Sequence, residues 1–95
     1  MNLSVPILFE WDDGNIDKNW KRHQIHYKEI EEVFFNRPIK IFPDVRHSQK
    51  EKRFLAYGRT NSDVLLTVVF VVRNKKLRAI SARRQNKNEK AIYEK

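Results

Sequence analysis

The sequence predicts an α+β domain built on an antiparallel sheet of mostly consecutive strands, and three observations carry that prediction. The stretch Asp63–Arg84, DVLLTVVFVVRNKKLRAISARR, holds two apolar runs, Val64–Val72 and Leu77–Ala82, parted by polar Asn74, Lys75 and Lys76. The first run is rich in β-branched residues, as in strands that meet water on neither face. Upstream, Tyr27–Phe35 repeats apolar residues at helical spacing. Finally, 95 residues suffice for one core but not for two, so residues 1–95 read as a single domain with 1–6 a loose extension.

In chain order, Ile7–Trp11 reads as an edge strand before the turn-forming Asp12-Asp13-Gly14. A helix is expected over about Gly14–His23, with Asp13 as a possible N-cap and Ile16, Trp20 and His23 on one mostly apolar face. A second helix over Tyr27–Phe35 buries Tyr27, Ile30, Val33 and Phe34, and turns Lys28, Glu29, Glu31 and Glu32 outward. Pro38 stops it. Ile39, Ile41 and Phe42 suggest a short strand closed by Pro43-Asp44, and residues 45–50 a polar loop. Glu51–Thr60 reads as a strand, Asn61-Ser62-Asp63 as a turn, and Asp63–Arg84 as a hairpin that lacks the glycine tight turns favour. Asn86 with Glu89 three residues on resembles a capping box for a last helix to about Glu94, burying Ile92 and Tyr93. The order is β-α-α-β-β-β-β-α. The two N-terminal helices would cover one sheet face, leaving the other for function, a partner or the last helix.

Charge is unevenly distributed. The net charge is +8, yet residues 1–44 carry 8 acids and 6 bases, whereas residues 45–95 carry 4 acids and 14 bases. That asymmetry points to a polyanion-binding face made by the second half, and composition does not separate RNA from an acidic protein. Cysteine is absent, which removes disulfides and thiolate metal sites and suits a reducing compartment. The first residues lack a basic n-region and a long enough apolar stretch for a signal peptide, and no run could span a bilayer. A cytoplasmic protein is expected.

Glu51 and Arg53, two apart, would project from one face of a regular strand together with Leu55, Tyr57 and Arg59. As a surface ion pair they would contribute only about 0–1 kcal/mol. Beside a tyrosine and a second arginine they also suit phosphate, which guanidinium binds bidentately. His23 on its helix face is more commonly a packed, hydrogen-bonded residue than a catalyst. His26 reads as loop-exposed, and His47 lies in the polar loop before Glu51, where an acid or base could reach a substrate. The three histidines have no metal-ligand spacing, so neither metal nor cofactor is expected. Arg78 and Arg83 are five apart and would face opposite sides unless Ser81-Ala82 bends, bulges or leaves the strand. Arg73 lies at the hairpin turn, while Arg83 and Arg84, between strand and last helix, are best placed for a cleft.

Taken together, Phe9-Glu10-Trp11-Asp12, Asn19 with Lys21-Arg22-His23, Glu51-x-Arg53, Ile80-Ser81-Ala82-Arg83 and Glu89 with Tyr93 resemble, in order and spacing, the BrnT family of type II toxins. The likeness runs from about Phe9 to Glu94. It departs where the family has glycine after the first histidine and this chain has Gln24, at Arg84-Gln85, and where Glu-Arg is replaced by Glu89-Lys90. The resemblance implies a RelE-like ribonuclease fold, a BrnA-type antitoxin in a hetero-oligomer, and growth arrest through RNA cleavage.

RNA brings its own nucleophile, the 2′-hydroxyl, so cleavage needs one proton removed, one supplied, and the extra phosphate charge stabilised. Arg53 and Arg83 are expected to stabilise phosphate, with Glu51 or His23 as base and His47 and Tyr93 as further candidates for acid or positioning. Lys21, Arg22, Arg59, Arg78 and Arg84 would hold the RNA backbone. The competing class is a basic module that binds nucleic acid or docks a protein without chemistry.

Overall fold

The computed structural model describes residues 7–47 and 50–95. The expected extension at residues 1–6, and residues 48 and 49 of the expected 45–50 loop, lie outside the described residues. The elements are β1 (Leu8–Phe9), α1 (Lys18–His23), α2 (Tyr27–Phe35), β2 (Lys40–Pro43), β3 (Phe54–Arg59), β4 (Leu65–Arg73), β5 (Lys76–Arg84) and α3 (Lys87–Tyr93). Their order is the predicted one. A single 3-10 turn, Val45–His47, lies within the stretch read as a loop.

Strands β2 to β5 form an antiparallel meander, and β1 lies beyond β5 and parallel to it, giving the order β1-β5-β4-β3-β2. The sheet is therefore mixed, which corrects the antiparallel expectation. β1 is far from β5 in sequence, so no tight turn dictates its direction. β3 is also shorter than expected: Glu51 and Arg53 precede it and share no strand.

Helix α2 forms where the apolar spacing placed it. His26, read as loop, is its N-cap: its Nδ1 accepts from the Lys28 N–H at 3.2 Å, while Glu29 Oε1 accepts from the His26 N–H at 3.0 Å. Ile30, Val33 and Phe34 pack on Ala56, Leu66, Val68, Phe70, Leu77, Ala79 and Ala82, which line one face of the sheet. The Phe34 and Phe70 rings meet edge to face at 5.2 Å. Gly58 allows this approach, since a Cβ there would lie 2.7 Å from Val33 Cγ1.

Helix α1 departs from expectation. It starts at Lys18, and Asp17 at its N-cap makes no side-chain capping bond. Residues 12–15 instead close a turn, with the Gly14 N–H donating to Asp12 Oδ1 at 2.8 Å and the Asp12 N–H to Asn15 Oδ1 at 2.8 Å. Such local side-chain bonds compete with the helix and shorten it. The inward residue is Asn19, 2 % exposed, whereas Trp20 is 49 % exposed and His23 is exposed. The expected Ile16–Trp20–His23 face is thus corrected.

What α1 does is close the edge of β5. Asn15 Nδ2 donates to the Ala79 carbonyl at 3.1 Å, Lys18 Nζ to the Ile80 carbonyl at 3.1 Å, and the Ala82 N–H donates to Asn19 Oδ1 at 2.9 Å. Backbone groups that β1 is too short to reach are thereby satisfied. Opposite, Val69 pairs with Ser81 and Phe70 with Ala79, so Ile80 is a bulge. The β4–β5 hairpin closes on Asn74 and Lys75 alone, at φ 50° and 64°, the left-handed pair that a type I′ turn requires.

Candidate functional site

Directly paired strand residues carry their side chains on the same face. Lys40, Tyr57, Thr67 and Arg83 are paired in sequence across β2, β3, β4 and β5, and so form one row on the face away from α2. Helix α3 docks there. Its Asn86–Glu89 capping box fixes the first turn, and Glu89 then receives Arg83 in a two-pronged pair, Nη1–Oε1 2.6 Å and Nη2–Oε2 2.8 Å. The Arg83 side chain is 45 % exposed and that of Glu89 only 10 %. Arg83 is the more exposed partner of the pair.

This environment sets the protonation states. Burial pushes the Glu89 carboxyl up, but Arg83, the Asn86 N–H and the Thr67 hydroxyl outweigh it and hold the group below its ordinary value. The Thr67 hydroxyl contributes although it is buried and makes no well-formed hydrogen bond. Burial, then the Glu89 charge, push the Tyr57 hydroxyl upward against a smaller opposing effect of Arg83. Tyr57 is therefore a phenol, not a phenolate, at neutral pH.

The bulge at Ile80 answers the parity question. Arg78 pairs with Val71 and Arg83 with Thr67, four residues apart on β4, so the two arginines share a face about 13 Å apart along the strand. They do not share a site. Arg78 is held by Asp12, at 2.7 and 2.9 Å, and by Glu10 at 3.1 Å. Glu51 receives Arg73 through two bonds of 2.7 Å, and that guanidinium holds its carboxyl below the usual range. Arg53 lies near Glu51, at the same end as the hairpin turn. Of the residues expected to act together on phosphate, Glu51 and Arg53 lie with Arg73 toward the hairpin turn, and Arg83 lies at the opposite end of the face.

The remaining candidates divide likewise. Arg59 donates to the Arg37 carbonyl at 2.9 and 3.2 Å and to Asp63 at 2.8 Å. The Tyr93 hydroxyl donates to the Pro38 carbonyl at 2.7 Å and anchors α3 to the approach to β2. His47 ends the 3-10 turn, and its side chain lies outside the described structure. Lys21, Arg22 and His23 are exposed on α1, and Arg84 Nη1 donates to the His23 carbonyl at 3.0 Å. Among the described residues Lys21, Arg22 and Arg84 have no carboxylate within ion-pair distance. Beside Arg84 opens a shallow cleft of about 310 Å³, lined also by Asp63, Lys90 and Glu94.

At the C-terminal end of β5 the structure places Arg83, Glu89 and Tyr57 together on the α3 face, while Arg84, alternating to the other face, holds the end of α1 that carries Lys21, Arg22 and His23. Glu89 was legible as a helix cap and as part of the family likeness, but not as the partner of Arg83, and Tyr57 only as company for arginines; the sign that could have joined them was the capping box that sets Glu89 six residues after Arg83. Among the described residues no three His, Cys, Asp or Glu side chains are placed to hold a metal ion. Among the described residues no helix is long and apolar enough to cross a membrane.

No curated protein matches the chain. A family model described as "Ribonuclease toxin, BrnT, of type II toxin-antitoxin system" matches residues 11–89, which include every element from α1 to β5 and the Glu89 that holds Arg83. The chain therefore belongs to the BrnT family of ribonuclease toxins, and membership implies an RNA target and a protein antitoxin as partner.

Proposed function

We propose that this chain is a metal-independent endoribonuclease whose centre lies at the C-terminal end of β5. The observation that carries the reading is Arg83, nearly half exposed yet held in one orientation by the largely buried Glu89. A guanidinium fixed in this way presents its remaining N–H groups to a phosphate without reorganising, which is the condition for electrostatic stabilisation of a developing charge.

The 2′-oxygen of the substrate attacks the adjacent phosphorus; the new O2′–P bond forms as the P–O5′ bond breaks. A base takes the 2′-proton, and an acid supplies one to the departing O5′, leaving a 2′,3′-cyclic phosphate and a 5′-hydroxyl. Arg83 stabilises the non-bridging oxygens. His23 is the base, from the end of α1 that Arg84 ties to β5. Tyr57, kept protonated, supports the acid role. Lys21, Arg22 and Arg84 hold the flanking backbone. Arg53, at the far end of the face, lies outside this centre and meets RNA beyond the cleaved bond, while Glu51, Arg59, Arg78 and Tyr93 act as framework through the bonds described above.

In this reading residues 1–95 form one cytoplasmic toxin unit of RelE-like fold that inhibits translation. A BrnA-like antitoxin neutralises it in a hetero-oligomer.

Purified protein incubated with RNA in EDTA tests the scheme. Cleavage to 2′,3′-cyclic ends is expected, and Arg83→Lys, which keeps a charge opposite Glu89 but loses the planar fork, should lower the rate at least about 10²-fold with little change in the unfolding midpoint. A strict Mg²⁺ requirement would sink the scheme. RNA that is shifted but not shortened would leave a binding module.

A further inference from the structure

We propose that Trp20 is a stacking anchor for an unpaired base of single-stranded RNA, next to the backbone contacts of Lys21, Arg22 and Arg84. The choice of ligand rests on the nuclease reading above; the geometry does not. Among the described residues Trp20 makes no side-chain hydrogen bond or ring contact, unlike Trp11, whose Nε1 donates to Glu31 at 2.8 Å and whose ring meets Tyr27 at 5.4 Å. On α1 the inward position is taken by Asn19, and Trp20 is turned out, 49 % exposed.

Its surroundings say what it faces. Residues three apart on a helix are surface neighbours, so Trp20 adjoins His23, whose carbonyl receives Arg84 at 3.0 Å. Lys21, Arg22 and Arg84 carry no ion pair among the described residues, whereas Arg59, Arg73, Arg78 and Arg83 are each matched to an acid. Positive charge without an ion pair thus lies on the same six-residue helix as the exposed indole and, through Arg84, at that helix's end, with Asp17 as the acid three residues before Trp20. Single-stranded RNA is the ligand with both complements, since its phosphates meet the cations and every base offers a face to stack. A protein partner would instead favour an apolar surround that keeps water from the aromatic anchor, and here the neighbours three residues either side, Asp17 and His23, are polar and exposed.

The test uses a 2′-O-methyl RNA 12-mer, which lacks the attacking hydroxyl and stays intact. Binding to the full chain is followed by anisotropy and by tryptophan fluorescence. Trp20→Ala should weaken binding about 10-fold or more, Trp20→Phe less, with both variants unfolding like the unchanged protein. The oligomer should quench fluorescence that is missing from Trp20→Phe. An abasic oligomer of equal charge should bind Trp20→Ala and the unchanged protein alike. Undiminished affinity of Trp20→Ala, or an equal loss with the abasic oligomer, overturns the proposal. So does a loss confined to the complex with the antitoxin, which would make Trp20 a protein contact. If the unchanged protein fails to cleave RNA while the stacking loss persists, the nuclease reading falls and this one stands; cleavage with unaltered Trp20→Ala affinity gives the reverse.

Discussion

Glu89 serves two masters, the first turn of α3 and the guanidinium of Arg83. Its carboxyl is held below the ordinary 4.5 although burial works in the opposite direction. A lowered carboxyl stabilises the fold fully above its unfolded value, and the stabilisation is lost as pH falls through the folded value. Glu89→Gln should therefore cost about 1–2 kcal/mol at pH 7, a figure kept small because the Arg83 side chain is 45 % exposed. The gap from the unchanged protein should shrink as pH drops below 4.5, as urea unfolding at pH 7 and pH 3 would measure. Gln24 poses a second residue-scale question. It sits at φ 60°, ψ 36°, where a side chain meets its own backbone and glycine does not. The glycine that the family resemblance led one to expect has this conformational reason. Gln24→Gly is expected to raise stability by up to about 1 kcal/mol in thermal unfolding.

At the scale of elements, α1 contributes to the molecule mainly as a clasp. Its six residues bring no apolar stripe, and its buried side chain is an asparagine. Asn19→Ala would leave the buried Ala82 N–H without its acceptor, at an expected cost of about 1–3 kcal/mol. Amide exchange at Ala82 should speed up more than exchange in α2. This element was misread from sequence because the pattern Ile16, Trp20, His23 matches a helical face, whereas Asp12 and Asn15 spend the preceding residues on a turn. α2 was read correctly, since Ile30, Val33 and Phe34 are buried by the same spacing that announced them.

Across the whole molecule, most of the arginines that first attracted notice do not supply the excess of positive charge. Arg59, Arg73, Arg78 and Arg83 are matched to acids, and among the described residues the unmatched charge includes Lys21, Arg22 and Arg84, the first two from the acidic half of the sequence. Each phosphate contact to a single strand contributes about 0.7 to the slope of log affinity against log salt. Neutralising Lys21, Arg22 and Arg84 together with glutamine should flatten the slope by about 2, read from oligonucleotide titrations at several salt concentrations. Arg73→Gln should leave it nearly unchanged, because Glu51 already compensates that charge.

Legible along the chain were the α+β class, the order of the elements, the core of α2 and β4, and a family likeness that singled out Arg83. These follow from periodicity and local capping, which act within a few residues of chain. Tertiary structure alone decided which charges meet. The bulge at Ile80 brought Arg78 and Arg83 to one face yet kept them about 13 Å apart, and α3 delivered Glu89 to Arg83 above Tyr57. Ion pairing depends on distances set by strand register and helix docking, and neither is written in the spacing of residues along the chain.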